Sequence, residues 1–318
     1  MRSFYFVMRL TLYSSIPLML VALGGLYSER SGVVNIALEG IMLMGAFVGI
    51  FTMYLLQGRG IDGQWVFIFC ILLGGIVGAV YSILHAYASV SMSANQIISG
   101  TALNLMAPAF AIFIARFATG TQQLNFTDNF RIANMGILSS IPLIGPILFT
   151  NVYLSTFLGL TIFLIGAIVL YKTRFGLRLR SCGEHPHAAD AAGVNVYHIR
   201  YAGVIISGFL AGLGGVILIV ATTTTFNASV SGYGFLALAV LISGQWRAGR
   251  VFAVAILFGF LLKLSDAVIL IPILNNLGFP SLMYSMIPYI ATLIILAFTS
   301  KKSQAPRAVG EPYDVSKR

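Results

Sequence analysis

Charge is what this sequence has least of. Of its 318 residues, 19 are Lys or Arg and 9 are Asp or Glu, so 9% are charged while 58% are hydrophobic. An ordinary soluble domain carries roughly 25% charged and about 45–50% apolar residues. So few charges cannot cover a chain of this size in water, which excludes a soluble enzyme as well as a disordered or fibrous chain. Cysteine is scarce too: Cys70 lies in an apolar stretch and Cys182 in a basic loop, and no disulfide framework is indicated. No lysine follows a glycine, so the phosphate-cradling P-loop is absent. No G-x-S-G or H-E-x-x-H motif is present. His185 and His187, split by Pro186, read as solvated loop histidines rather than as metal ligands. No catalytic residue, metal site or cofactor is expected.

What the chain does have is long uncharged apolar runs, at about 12–27, 32–55, 64–91, 95–117, 151–171, 201–225, 232–247, 251–272 and 284–299. Runs of about 17–25 apolar residues are the length of a membrane-crossing helix. A closed β-barrel would alternate polar and apolar residues in segments of about 10, and these runs do not. The first run is not read as a cleaved signal, because no hydrophilic mature domain follows it. The expected fold is all-α, a polytopic transmembrane helix bundle of about nine to ten spans with one broken segment. Residues 1–300 make the transmembrane domain, with a cytoplasmic loop at 172–200, and 301–318 make a basic cytoplasmic tail.

The net charge of +10 does not point to nucleic acid. Its basic residues collect beside the apolar runs, at Lys172, Arg174, Arg178 and Arg180, then at Lys301, Lys302, Arg307, Lys317 and Arg318. That is the positive-inside pattern of short cytoplasmic loops beside anionic lipid. Arg247 and Arg250 flank a third such loop, while 120–150, charged at Asp128 and Arg131, and the uncharged 273–283 link face outward. Arg2 and Arg9 ask for a cytoplasmic start, yet nine crossings and a cytoplasmic tail require an outward one. Glu29 to Gly40, polar and glycine-interrupted, is the suspect for the broken segment, since irregular backbone at membrane depth must be buried in protein or line a cavity.

Glycines four apart (Gly45 and Gly49, Gly74 and Gly78, Gly208 and Gly212) suit close helix packing in lipid. His85, alone in an apolar run, reads as a packed interhelical donor. Glu39 is costly at mid-bilayer, about 2.5–3.5 kcal/mol on the insertion scale, and needs a partner. Asn35 lies four residues earlier, on the same face if the stretch is helical. Asn95, Gln96, Ser99, Thr101 and Asn104 form a second uncharged polar surface. Asn35, Glu39, Asn95, Gln96 and Asn104 are the candidates for a translocation path for a neutral polyhydroxylated or heterocyclic solute. Interhelical hydrogen bonding explains the same residues equally well.

Residues Arg174 to Gly215, with RFGLRLRSCGEHPHAADAAGVNV and ISGFLAGLGG, resemble the coupling-loop signature of ABC-importer permeases for ribose-type sugars, branched-chain amino acids and nucleosides. LYSERSGVVNIALEGIMLMGA (Leu26 to Ala46), SANQIISGTALN (Ser93 to Asn104) and GYGFLALAV (Gly232 to Val240) are similar to the nucleoside branch. The four blocks stand in family order. The family signature has a glycine about nine residues after a glutamate, here Gly193 after Glu184. His185-Pro186 departs from the usual Asn-Pro. The resemblance implies a permease subunit in a bacterial cytoplasmic membrane, forming the path for nucleoside uptake. Its partners would be an ABC ATPase subunit, a second related permease in a heterodimer, an extracytoplasmic solute-binding lipoprotein and membrane lipid. Gly183, Glu184, Ala188, Ala192 and Gly193 would couple it to the ATPase. The family is usually drawn with a cytoplasmic start and about ten spans. Alternatives are a simple-sugar or branched-chain amino-acid permease, and, from another class, an ion-coupled transporter relaying through Glu39 and Asp266.

Overall fold

The first helix runs farther than its apolar stretch predicts. α1 covers Arg2–Ser31 and takes in Arg9 near one end and Glu29 and Arg30 at the other. Charges are tolerated there because they sit at the ends and find partners outside the helix. The computed structural model describes residues 2–142, 144–267, 283, 286–299 and 304–314. The 273–283 link (apart from residue 283), Lys301, Lys302, Lys317, Arg318 and the side chain of Asp266 lie outside that description.

After α1 come α2 (Leu38–Gly58), α3 (Gln64–Ala86, continued by one π-helical turn at Tyr87–Ser91) and α4 (Gln96–Thr119). A short α5 (Gly145–Leu148) precedes α6 (Leu154–Lys172). Two short helices follow, α7 (Arg174–Glu184) and α8 (Pro186–Ala191), and then the long α9 (Val196–Thr222). α10 (Tyr233–Ser243), α11 (Ala248–Ala267) and α12 (Ile287–Thr299) complete the described helices. Among the described residues six helices, α1 to α4, α6 and α9, are long and apolar enough to cross a membrane, with the π turn of Tyr87–Ser91 included in the third; this count does not reach the nine to ten spans expected.

α1, α3 and α9 form the centre, with α2 against α3 and α9. The most apolar 18-residue window of α9 is 78% buried, against 22% for α4 and 28% for α6, so those two present apolar surface outward. Glycines set how closely the centre packs. A Cβ built on Gly45 of α2 would stand 2.7 Å from the Gly74 carbonyl oxygen of α3, and one on Gly212 of α9 would run into that same carbonyl. Three backbones meet at these residues, as small-residue packing in lipid requires.

The all-α expectation holds apart from four short strands at one end. β1 (Leu124–Asn125) pairs antiparallel with β4 (Thr225–Phe226), and β2 (Arg131–Asn134) with β3 (Thr150–Tyr153). Asp128 and Arg131 pair with each other at 3.0 Å. Arg9 donates to the Thr150 carbonyl at 3.5 Å, and the Tyr13 hydroxyl donates to the Asn151 carbonyl. The start of α1 therefore lies with the 120–153 segment. Its far end, at Arg30, meets Glu184 and Trp246, on the side of the 172–200 loop. With that loop cytoplasmic, α1 starts outside. That orientation of the loop would set aside the cytoplasmic start suggested by Arg2 and Arg9; Arg9 itself is held by the Thr150 carbonyl, at the end of α1 away from the loop.

Candidate functional site

Residues 32–37 leave the helix between α1 and α2, and all six are buried or half-buried. Their backbone polar groups would be costly there without partners. Several of those partners come from the polar set singled out in the sequence or from its neighbours. The Val34 amide donates to Gln96 Oε1 at 2.7 Å, and the Val34 carbonyl accepts from His85 Nε2 at 2.9 Å. A carbonyl can only accept, so Nε2 carries a ring proton, and the Ser99 hydroxyl lies 3.1 Å from Nδ1. Asn104 spans the break, donating to the Ile36 carbonyl at 2.8 Å and accepting from the Gly40 amide at 2.7 Å. Ser28 donates to the Val33 carbonyl at 2.8 Å. The suspect stretch Glu29 to Gly40 does contain a buried non-helical link, between two helices long enough to span, and these bonds satisfy its backbone.

Asn35 and Glu39 do not share a helical face, because residues 32–37 are non-helical and α2 begins only at Leu38. Buried Asn35 instead donates to Ser207 on α9 at 2.9 Å. Glu39 turns to α10, where its carboxylate accepts from the Gly232 amide at 2.9 Å and the Gly234 amide at 2.6 Å. Those are first-turn amides of α10, with no partner inside the helix and at the positive end of its dipole. Gly232 (φ 76°) is the N-cap, and Gly234 packs directly on the Glu39 backbone. Asn95 is exposed and caps α4, accepting from Ile97 and Ile98 at 2.9 and 3.2 Å. Two atoms in this region, Asn35 Oδ1 and Gln96 Nε2, are buried with no hydrogen-bond partner among the described residues.

Three charged residues went unread in the sequence. Glu29, buried at the end of α1, accepts from the Trp246 indole, a pairing 217 residues apart. Arg30 donates to the Trp246 carbonyl at 2.8 and 3.2 Å and pairs with Glu184 at 3.2 Å. Arg200 is 1% exposed, with its guanidinium over Gly32 (φ 100°) and a 2.8 Å bond to the Glu311 carbonyl. A Cβ at position 32 would stand 2.7 Å from Arg200 Nη2, so only glycine fits. Arg200 looked like the last loop charge before an apolar run, and nothing local marks it as inward-facing.

The 172–200 loop holds two helices, α7 and α8. Thr173 caps α7, accepting from the Gly176 amide at 3.2 Å, and Asn195 caps α9, accepting from His198 at 3.0 Å. Gly183 is buried against the Arg30 carbonyl, so Gly183 and Glu184 together fix the loop to the end of α1. Ala188, Ala192 and Gly193 are exposed. Gly193 has φ 81° and open space around it. The described part of the tail, 304–314, lies along this loop: Ala308 donates to the Gly183 carbonyl at 2.9 Å and Gly310 to the Gly32 carbonyl at 3.1 Å. The Tyr313 ring, 4% exposed, packs on His187 and Tyr197 with centroids 5.2 and 5.5 Å apart.

Comparison with known proteins accounts for this layout. The chain is 42% identical over 312 residues to the nucleoside ABC transporter permease protein NupC of Lactococcus lactis, covering 98% of this chain and 97% of that one. It is 40% identical over 311 residues to the guanosine ABC transporter permease protein NupQ of Bacillus subtilis, covering 97% and 96%. A second nucleoside permease of the same Lactococcus, NupB, is 24% identical over 258 residues, covering 79% of this chain and 70% of that one. Residues 7–296 match the family described as branched-chain amino acid transport system / permease component. The chain, a helical bundle with apolar spans and a fixed loop at one face, belongs to that permease family.

Proposed function

We propose that this chain is a permease subunit of an ABC importer, forming the membrane path for nucleoside uptake driven by ATP hydrolysis on a partner subunit. The observation that carries it is the 42% and 40% identity, over nearly the whole chain, to two permeases named for nucleosides and guanosine. NupC and NupB come from one organism and match this chain unequally, which supports a second, related permease as the other half of a heterodimer. An extracytoplasmic solute-binding lipoprotein delivers the solute, and the assembly sits in a bacterial cytoplasmic membrane with nine to ten spans per permease.

In this reading Gly183, Glu184, Ala188, Ala192 and Gly193 couple the chain to the ATPase. Exposed Ala188, Ala192 and Gly193 enter a groove of the ATPase. Gly183 and Glu184 pass its movement to Arg30 at the end of α1, and from there to the break at 32–37. Asn35, Glu39, Gln96 and Asn104 belong to the wall of the path beside that break, with Asn95 at the exposed start of α4. The unpartnered Asn35 Oδ1 and Gln96 Nε2 supply an acceptor and a donor for a neutral solute.

The test is uptake of radiolabelled guanosine, adenosine, ribose, glucose and leucine in cells lacking the chain and in cells complemented with it. Nucleoside uptake that requires the chain, stops on ATP depletion and survives collapse of the ion gradient is expected. Sugar or leucine uptake in its place would move the chain to another branch of the family, and loss with the ion gradient would overturn the ABC reading.

A further inference from the structure

A cavity of about 520 Å³ opens beside the 172–200 loop, lined by Arg30, Tyr171, Arg180, Arg247, Gly249 and Arg250. Four guanidinium groups share it. Arg30 is engaged by Glu184 and by the Trp246 carbonyl. Arg180 donates to the Gly176 carbonyl at 3.3 Å and lies over the Tyr171 ring, 5.4 Å from its centroid. Arg247 and Arg250 are exposed. Among the described residues, Glu184 is the one carboxylate ion-paired with any of the four. The cavity therefore gathers like charges that repel one another unless an anion enters.

A second observation says what kind of anion. Tyr171 forms the wall from the end of α6, held there as its hydroxyl accepts the Ala248 amide at 3.0 Å. Leu164, Ile168 and Tyr171 are 61%, 49% and 37% exposed, and spacings of four and three residues place them on one face of α6. An exposed apolar stripe thus runs along a spanning helix into a cationic cavity at its cytoplasmic end. A soluble phosphate would use only the cavity, and an acidic protein surface would have no use for the stripe.

We propose that this cavity is a site for one anionic phospholipid, with its phosphate among Arg180, Arg247 and Arg250 and an acyl chain along Leu164 and Ile168. Basic hollows between spanning helices on the cytoplasmic side suit such headgroups. The bound lipid cancels repulsion at the junction of α1, α6, α7 and α11, which is where the loop meets the bundle. The proposal needs the membrane orientation of the loop and does not depend on the solute carried.

The test uses the purified complex with its ATPase and second permease, titrated in native mass spectrometry with short-chain phosphatidylglycerol, short-chain phosphatidylcholine and inorganic phosphate. One phosphatidylglycerol per chain is expected, bound about tenfold more tightly than phosphatidylcholine and not displaced by phosphate. Arg247→Gln with Arg250→Gln should weaken it about thirtyfold, since two charges near the surface are removed, while the complex stays assembled. Ile168→Asn tests the apolar half with every arginine in place and should weaken phosphatidylglycerol but not any phosphate binding. Equal binding of both lipids, or displacement by phosphate, overturns the lipid assignment. So does an arginine double variant that binds lipid normally but sheds the ATPase, which would give the cavity to the partner protein.

Discussion

Glu39 holds two amides at the start of α10 from the start of α2, and both helix ends lie inside the bundle. A carboxylate suits that geometry because both its oxygens accept. In Glu39→Gln one oxygen becomes an NH2 group, which cannot accept from either Gly232 or Gly234. One buried amide is then left unmet, at a cost of about 1–3 kcal/mol. The expected outcome is a lower unfolding temperature for the complex together with reduced nucleoside uptake. Unchanged thermal stability would show that the clasp between α2 and α10 contributes nothing. Gly193 presents the opposite case. Open space surrounds it, so the cost of Gly193→Trp to the isolated chain comes from its positive φ, about 1 kcal/mol. In the proposed coupling, the indole would stand where the exposed tip of the loop meets the ATPase. Normal membrane insertion with uptake near background is expected, and full uptake in that variant would remove Gly193 from the coupling surface.

The contact among α2, α3 and α9 has no slack at the scale of elements. Gly212→Leu would push a branched side chain into the Gly74 backbone, and since backbone cannot step aside, a loss of about 3 kcal/mol is expected. The readout is the yield of folded chain in detergent, and a normal yield would contradict the packing. The tail gives a second case, because Tyr313→Ala empties a buried site between His187 and Tyr197, costing about 3 kcal/mol locally. Hydrogen exchange should rise in α8 and not in α1, with Tyr313→Phe keeping the ring and the protection. Much of this element plan was legible beforehand. Apolar runs located the six described helices long and apolar enough to span, while runs 232–247, 251–272 and 284–299 hold described helices that do not meet that measure; the glycine pairs located the close packing. Polar residues between Glu29 and Gly40 marked the break, since lipid permits irregular backbone only where partners exist. What stayed hidden was pairing at long range. Asn35 and Glu39 share a face only on an unbroken helix, and Gly32, fitted under Arg200, helps end it. Glu29 finds Trp246, and Arg200 finds the Glu311 carbonyl, across distances in sequence that no local pattern encodes. The exposed set at Asn95 was legible as polar, but its work as a helix cap depends on where α4 starts.

For the whole molecule, the packing fixes which loops share an end, and the positive-inside pattern then predicts the orientation. The Gln57 side chain donates to the Thr127 carbonyl at 3.0 Å and Asn129 donates to Asp62 at 3.0 Å, so the α2–α3 turn lies with the 120–153 segment. The 172–200 loop, the described tail and the Trp246 turn lie together at the other end. Impermeant thiol labelling can read this, but the native cysteines cannot report it. Cys182 is fully buried, and burial pushes its thiol up to about 11, against the opposing pull of the Arg200 charge and the Ser181 hydrogen bond. It would stay dark from either side, because labelling needs an exposed thiolate. Cys70 is also fully buried. Exposed positions must carry the probe, and Ile61→Cys, Asn134→Cys and Asn195→Cys serve. The positive-inside pattern predicts a cytoplasmic 172–200 loop. In intact cells Ile61→Cys and Asn134→Cys should therefore label and Asn195→Cys should not, with all three labelling after permeabilisation. Labelling of Asn195→Cys alone in intact cells would invert the chain and place its coupling loop away from ATP. Labelling of Asn134→Cys without Ile61→Cys would instead break the shared end, and with it the threading of α1, α2 and α3 from which the position of the break is drawn.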